Sequence, residues 1–176
     1  GDENDSSITQ YATATATVTQ TGTDVAYGIA PPNNSSTVNQ SGDGANATVD
    51  QTGELNRSSV VQTAGGTADV DQLGAYNESN VTQTADGASV TVSQTGDPSS
   101  GGPGVGQGDN LSNVVQNGAS TATVTQLASL PTDGFPSNDS SVVQNGDDST
   151  ATVNQTGNNN ESDVTQASLD LATVRD

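Results

Sequence analysis

The sequence predicts an all-β fold, a β-solenoid of seven stacked two-strand coils. Three observations predict it: a five-residue string that returns fourteen times, a two-residue period inside that string, and insertions confined to one edge. The string is a small residue, any residue, Val or Ile, any residue, Gln. It closes on Gln10, Gln20, Gln40, Gln51, Gln62, Gln72, Gln83, Gln94, Gln116, Gln126, Gln144, Gln155 and Gln166, and a fourteenth copy, Ala172 to Asp176, ends in Asp. The small residue alternates Ser and Ala down the chain, with Val90 the one exception. Each Ser segment also has Asn two residues before its Ser: Asn4, Asn34, Asn56, Asn77, Asn110, Asn138 and Asn160. The Ala segments have a small residue there, and Asp170 in the last copy. The repeating unit is therefore a pair of segments, present seven times.

Each segment in turn reads as a strand. The repeated residues occupy every second position, so their side chains share one face. Ile8, Val18, Val38 and the Val at the same place in every later segment point inward with the Gln and the Ser or Ala; Thr, Ser, Asn, Asp and Glu between them face solvent. Inside a pair, the step from Gln to the next small residue is 6 or 7 positions in all seven copies, as a fixed corner requires. Between pairs it is 7 in three cases and 16, 18 and 14 in the others. This places coils at about 4–20, 34–51, 56–72, 77–94, 110–126, 138–155 and 160–176, a single repeat domain over 1–176. Insertion loops at 21–33, 95–109 and 127–137 leave from one edge. The turn pairs Thr52–Gly53, Thr95–Gly96, Thr156–Gly157, Asn117–Gly118, Asn145–Gly146 and Gly65–Gly66 fall at the corners. Coils of about 22 residues stacked at roughly 4.8 Å give a block about 30 Å high.

Composition removes most other classes. Residues of the AVILMFWYC set make up 28% and aromatics 2%, with no Cys, Met, Trp or His; the only cations are Arg57 and Arg175, and the net charge is −19. Such a surface repels nucleic-acid phosphates and anionic membranes. Without His, Cys or Lys there is no Ser-His-Asp triad, Cys-His pair, ordinary zinc site, disulfide framework, Walker A loop or Schiff base. No enzyme activity and no cofactor are expected. No apolar run is long enough to span a bilayer, and the missing initiator Met and leader segment fit a processed, secreted chain. Low hydrophobicity with high charge is also the signature of disorder, and here the periodicity overrides it.

A core with one β-branched residue per strand is thin. Its support must come from backbone ladders and from the amide side chains, since a buried Gln or Asn is costly unless paired. Identical amides stacked at the strand spacing can donate to one neighbour and accept from the other, which satisfies all but the end members. No capping element is legible before Asn4 or after Asp176. A stack whose two ends carry the same pattern polymerises head to tail into a cross-β filament, with the chain itself as partner.

The repeat resembles the curlin repeat of bacterial curli, the secreted amyloid-like fibres of biofilm matrix, which reads roughly G-x-x-N-x-A-x-V-x-Q. Gly53, Asn56, Ser58, Val60 and Gln62 fit it, as do Gly74, Asn77, Ser79, Val81 and Gln83, and Gly157, Asn160, Ser162, Val164 and Gln166. The chain departs from it in the missing Asn of the Ala segments, the acidity, the insertions and the seven pairs. The resemblance implies an extracellular, cell-surface-attached fibre with roles in adhesion and biofilm, a surface nucleator, and a secretion machinery.

Other features carry competing readings. The column Thr17, Thr48, Asp69, Thr91, Thr123, Thr152 and Thr173 on the outer face of the Ala segments is similar to the ice-binding face of β-solenoid antifreeze proteins, and it also fits ordinary β propensity. Asn-x-Ser occurs in every Ser segment, a formal glycosylation acceptor; an inward ladder produces the same spacing. Asp69 with Asp71, Asp147 with Asp148, and Asp43 near Asp50 read as a solvated acidic surface, with Ca²⁺ bridging as the alternative. Tyr27 and Phe135 lie in insertions, where bundling or attachment contacts are expected. Gly104-x-Gly106-x-Gly108 lacks the strand-to-helix context of a nucleotide loop, and four aromatics do not build a glycosidase cleft.

Overall fold

The computed structural model describes residues 4–22, 34–96, 110–128, 138–167 and 171–176. They form fourteen strands: β1 (Asp5–Gln10), β2 (Thr15–Gly22), β3 (Asn34–Gln40), β4 (Asn46–Glu54), β5 (Asn56–Gln62), β6 (Thr67–Ala75), β7 (Asn77–Gln83), β8 (Ser89–Thr95), β9 (Asn110–Gln116), β10 (Thr121–Leu127), β11 (Asn138–Gln144), β12 (Thr150–Thr156), β13 (Glu161–Gln166) and β14 (Leu171–Arg175). Odd strands make one seven-stranded parallel sheet and even strands the other, each in chain order. Every coil therefore gives one strand to each sheet and stacks on the coil before it, which is a β-solenoid.

The register is the one that identical sequence periods enforce. Ile8 pairs with Val38 and Gln10 with Gln40, Val60 with Val81 and Gln62 with Gln83, and Val49 with Val70 and Gln51 with Gln72. A one-residue slip would turn every Val outward, so burial fixes the alignment. Inward Val and Ala of both sheets meet in one core. Gln, Asn and Ser lie buried beside them.

Of the strands that run past the expected coil ends, β4 and β6 go furthest, beyond Gln51 and Gln72. β4 continues to Glu54 and β6 to Ala75 because the chain passes directly into the next coil there, and Gly53 stacks on Gly74. A Cβ on Gly53 would lie 1.9 Å from the Gly74 carbonyl oxygen, and one on Gly74 2.0 Å from that of Gly96. Only glycine lets the backbones approach this closely. Leu55, Tyr76 and Asn159 follow in the left-handed region, at φ 57, 58 and 59°, turning the chain into the Asn that opens the next coil.

The centres of the three insertions, 23–33, 97–109 and 129–137, are outside the described residues. So are Tyr27, Phe135, the contacts expected of those loops, and the Gly104-x-Gly106-x-Gly108 string.

Candidate functional site

The amide rows are the chemistry of this molecule. In the odd sheet Gln10 Nε2 donates to Gln40 Oε1, and the same bond links Gln40 to Gln62, Gln62 to Gln83, Gln83 to Gln116, Gln116 to Gln144 and Gln144 to Gln166, at 2.7–2.9 Å. In the even sheet the row runs Gln20, Gln51, Gln72, Gln94, Gln126, Gln155 over the same distances. There Asp176 takes the next place, since its backbone N–H donates to Asn154 O and its carbonyl accepts from Thr156 N.

The second amide proton crosses to the other sheet. Gln40 Nε2 donates to Thr15 O at 3.0 Å, Gln51 to Ser35 O at 3.1 Å, Gln83 to Thr67 O at 3.0 Å and Gln155 to Asp139 O at 2.9 Å. Turning any of these amides over would set Oε1 against a carbonyl oxygen, so the crossing bonds fix the orientation. Both rows consequently point one way: nitrogen toward later coils, oxygen toward earlier ones. The same side chains also close corners, with Gln62 Nε2 on Gly66 O at 3.0 Å and Gln116 Nε2 on Ser120 O at 2.9 Å.

The Asn row runs the opposite way. Asn77 Nδ2 donates back to Asn56 Oδ1 at 2.9 Å, Asn110 to Asn77 at 2.8 Å, Asn138 to Asn110 at 3.0 Å and Asn34 to Asn4 at 3.4 Å. Asn56 and Asn160 join through their backbone N–H, to Asn34 Oδ1 and Asn138 Oδ1. Asn56, Asn77 and Asn160 each donate Nδ2 to the carbonyl four residues back, Thr52, Leu73 and Thr156. That bond spans the left-handed residue between and offsets its strain of roughly 1–2 kcal/mol. Asn34, Asn56, Asn77, Asn110 and Asn138 are fully buried, so their Asn-x-Ser strings face the core.

Two features were not anticipated. The inward hydroxyls of Ser36, Ser58, Ser79, Ser112, Ser140 and Ser162 are buried without a hydrogen-bond partner. Only the register of the Ser column was visible beforehand. Asp43 and Asp147, read as part of an acidic surface, and Asp86, which the sequence reading did not single out, each bind the corner of the preceding coil; their signal was the alternating corner length. Among the described residues no group of three or more acidic side chains is placed to hold a metal ion.

Among the described residues the outer strands β1, β2 and β14 are less covered than the inner ones, while β13 keeps Val164 and Gln166 buried. Ile8 is 44% exposed where Val38 is sealed, Gln10 is exposed, and Ala16, Val18, Gln20, Ala172 and Val174 are half-buried. No curated protein and no solved structure matches the chain. The family model of the curlin associated repeat matches residues 67–96, which hold β6 to β8, and 136–167, which hold β11 to β13. Over those two segments, with the spacing of Asn, Ser, Val and Gln described above, the chain carries curlin associated repeats.

Proposed function

We propose that the chain is the structural subunit of a secreted, curli-like amyloid fibre, in which coil 7 of one copy stacks on coil 1 of the next. The direction of the Gln rows carries this reading. Among the described residues the Oε1 atoms of Gln10 and Gln20 at coil 1 accept from no earlier Gln. At coil 7 Gln166 accepts at Oε1 from Gln144 and donates one amide proton to Thr150 O. The faces are thus complementary and unlike, the condition for a head-to-tail interface that does not close. One amide row, Gln166 to Gln10, continues across the junction, while Asp176 occupies the other.

The curlin resemblance supports the remainder: an extracellular, surface-attached fibre serving matrix cohesion and adhesion, started by a surface nucleator, with a structural role in place of catalysis. Fibre diffraction of the assembled protein tests the proposal. Reflections near 4.8 Å along the fibre and about 10 Å across it are expected, and a stable monomer at high concentration would overturn it. A second reading, a monomeric ice-binding solenoid, draws on the outward register column Thr91, Thr123, Thr152 and Thr173. Asp69 interrupts that column between Thr48 and Thr91, and a thermal hysteresis measurement decides it.

A further inference from the structure

Apart from Ile8 and Val90 the inward rows repeat the same residues, so the core does little to distinguish the correct next coil from any other. A degenerate core leaves stacking order weakly specified. The corners differ. Counted from the first Gln of each coil to the small-residue position of its second strand (Val90 in coil 4), they span 6, 7, 6, 7, 6, 7 and 6 positions in coils 1 to 7. The extra length in even coils holds an Asp followed by a left-handed residue: Asp43 and Gly44 (φ 74°), Asp86 and Gly87 (φ 76°), Asp147 and Asp148 (φ 58°).

That pair grips the short corner of the coil before it. Gly44 N donates to Thr13 O at 2.7 Å, Gly87 N to Gly65 O at 2.6 Å and Asp148 N to Ala119 O at 2.8 Å. The carboxylates return the contact. Asp43 Oδ1 accepts from Thr13 N at 3.2 Å and Thr13 Oγ1 at 3.0 Å, Asp86 Oδ1 from Gly65 N at 2.7 Å, and Asp147 Oδ1 from Ala119 N at 2.9 Å. Coil 1 is held by coil 2, coil 3 by coil 4 and coil 5 by coil 6. Between coils 2 and 3 the corner is bonded on its flanks, Ser41 N to Gln62 O and Asn46 N to Gly66 O.

We propose that the alternation is a pairing code within the chain: the short corner of an odd coil accepts the Asp corner of the even coil after it, while odd-on-odd contacts, including that of coil 7 with coil 1 of the next copy, are made without this bond.

The chain has no Cys, so introduced thiols report the neighbour. Ser59 on coil 3 is the register partner of Asn80 on coil 4, which in turn partners Asn113 on coil 5. In the full chain, refolded and oxidised, Ser59→Cys with Asn80→Cys should cross-link. Ser59→Cys with Asn113→Cys, about two strand spacings or roughly 9.6 Å apart, should not, since a disulfide spans at most about 7 Å between Cα atoms. Combining the second thiol pair with deletion of Gly44, Gly87 and Asp148 and with Asp43→Ala, Asp86→Ala and Asp147→Ala makes every corner short and uncapped. The 59–113 cross-link should then rise at least about tenfold, while the triple Asp→Asn chain, which keeps the Oδ1 acceptor, retains the original pattern. A short-corner chain that keeps its β-sheet circular dichroism and shows no 59–113 product overturns the proposal. Should that chain fail to fold, Asp86→Ala alone decides: about tenfold faster amide exchange at Gly65, reversed in Asp86→Asn, supports the code, and unchanged exchange refutes it.

Discussion

Coil 1 and coil 4 carry the same inward row, Ser6, Ile8 and Gln10 against Ser79, Val81 and Gln83, yet Ile8 is 44% exposed and Val81 1%. The strand is written in the local sequence; its burial comes from the coils on either side. A coil here has no core of its own, and stability is a sum over junctions between neighbours. The same substitution should therefore act in proportion to how much neighbour it meets.

The largest effect is expected where the neighbour is backbone. At Gly74, φ is 94° and an added Cβ would fall 2.0 Å from the Gly96 carbonyl oxygen, which no rotamer relieves. Gly74→Ala should cost at least about 3 kcal/mol or abolish folding. Gly44 has φ 74° with nothing within 4 Å of its Cβ position, so Gly44→Ala should cost only about 1 kcal/mol of left-handed strain. Urea unfolding of the two variants measures the contrast, and equal midpoints would break it.

Amide removal comes next. Gln83→Leu takes the acceptor from Gln62, the donor from Gln116 and the crossing bond from Thr67 O. One buried acceptor, Gln116 Oε1, is left without its donor, while Gln62 Nε2 keeps Asn46 O and Gly66 O, for a loss of about 2 kcal/mol. Gln10→Leu, in the open coil, breaks only the bond to Gln40 and should cost about 1 kcal/mol or less. If both variants unfold at the same denaturant concentration, the rows are not what binds neighbouring coils.

Strand number, inward faces and register were legible because a two-residue period leaves one way to bury Val and Gln together. Amide direction was not: whether Gln62 Nε2 points to coil 2 or coil 4 depends on the carbonyls of the opposite sheet, a three-dimensional fact. The corner role of Asp43, Asp86 and Asp147 was present in the 6 and 7 alternation, but an acidic residue beside Gly reads equally as solvated turn. The unpartnered Ser hydroxyls were invisible, since the period that places Ser beside Val says nothing about what faces its Oγ.

Those hydroxyls give the third contrast. Ser79 is fully buried and its Oγ has no partner, whereas Ser6 in the open coil is exposed. Removing an unpaired buried hydroxyl recovers its desolvation cost, so Ser79→Ala should stabilise by about 1 kcal/mol. Ala already fills the equivalent place in the even sheet, where Ala68 and Ala122 are sealed in the core. Ser6→Ala should leave the unfolding midpoint unchanged within about 0.5 kcal/mol.

The smallest effect is electrostatic and lies on the outer face. Asp50 and Asp71 are register partners on β4 and β6, with Asp69 two residues from Asp71 on the same face. Partial desolvation against the sheet, then the charges of Asp69 and Asp50, hold the Asp71 carboxyl above its ordinary value of 3.8. The folded chain therefore keeps this proton at a pH where the unfolded chain has released it. The stabilising contribution of the protonated group is complete below the ordinary value and is lost as pH rises through the raised one. Acidifying from neutral pH through that window should raise wild-type stability relative to Asp71→Asn, and at pH 7 the variant should be slightly the more stable of the two. Salt separates the causes. It screens the repulsion from Asp69 and Asp50 and leaves desolvation in place, so a wild-type deficit that persists in high salt assigns the shift to the stack itself and not to the neighbouring carboxylates.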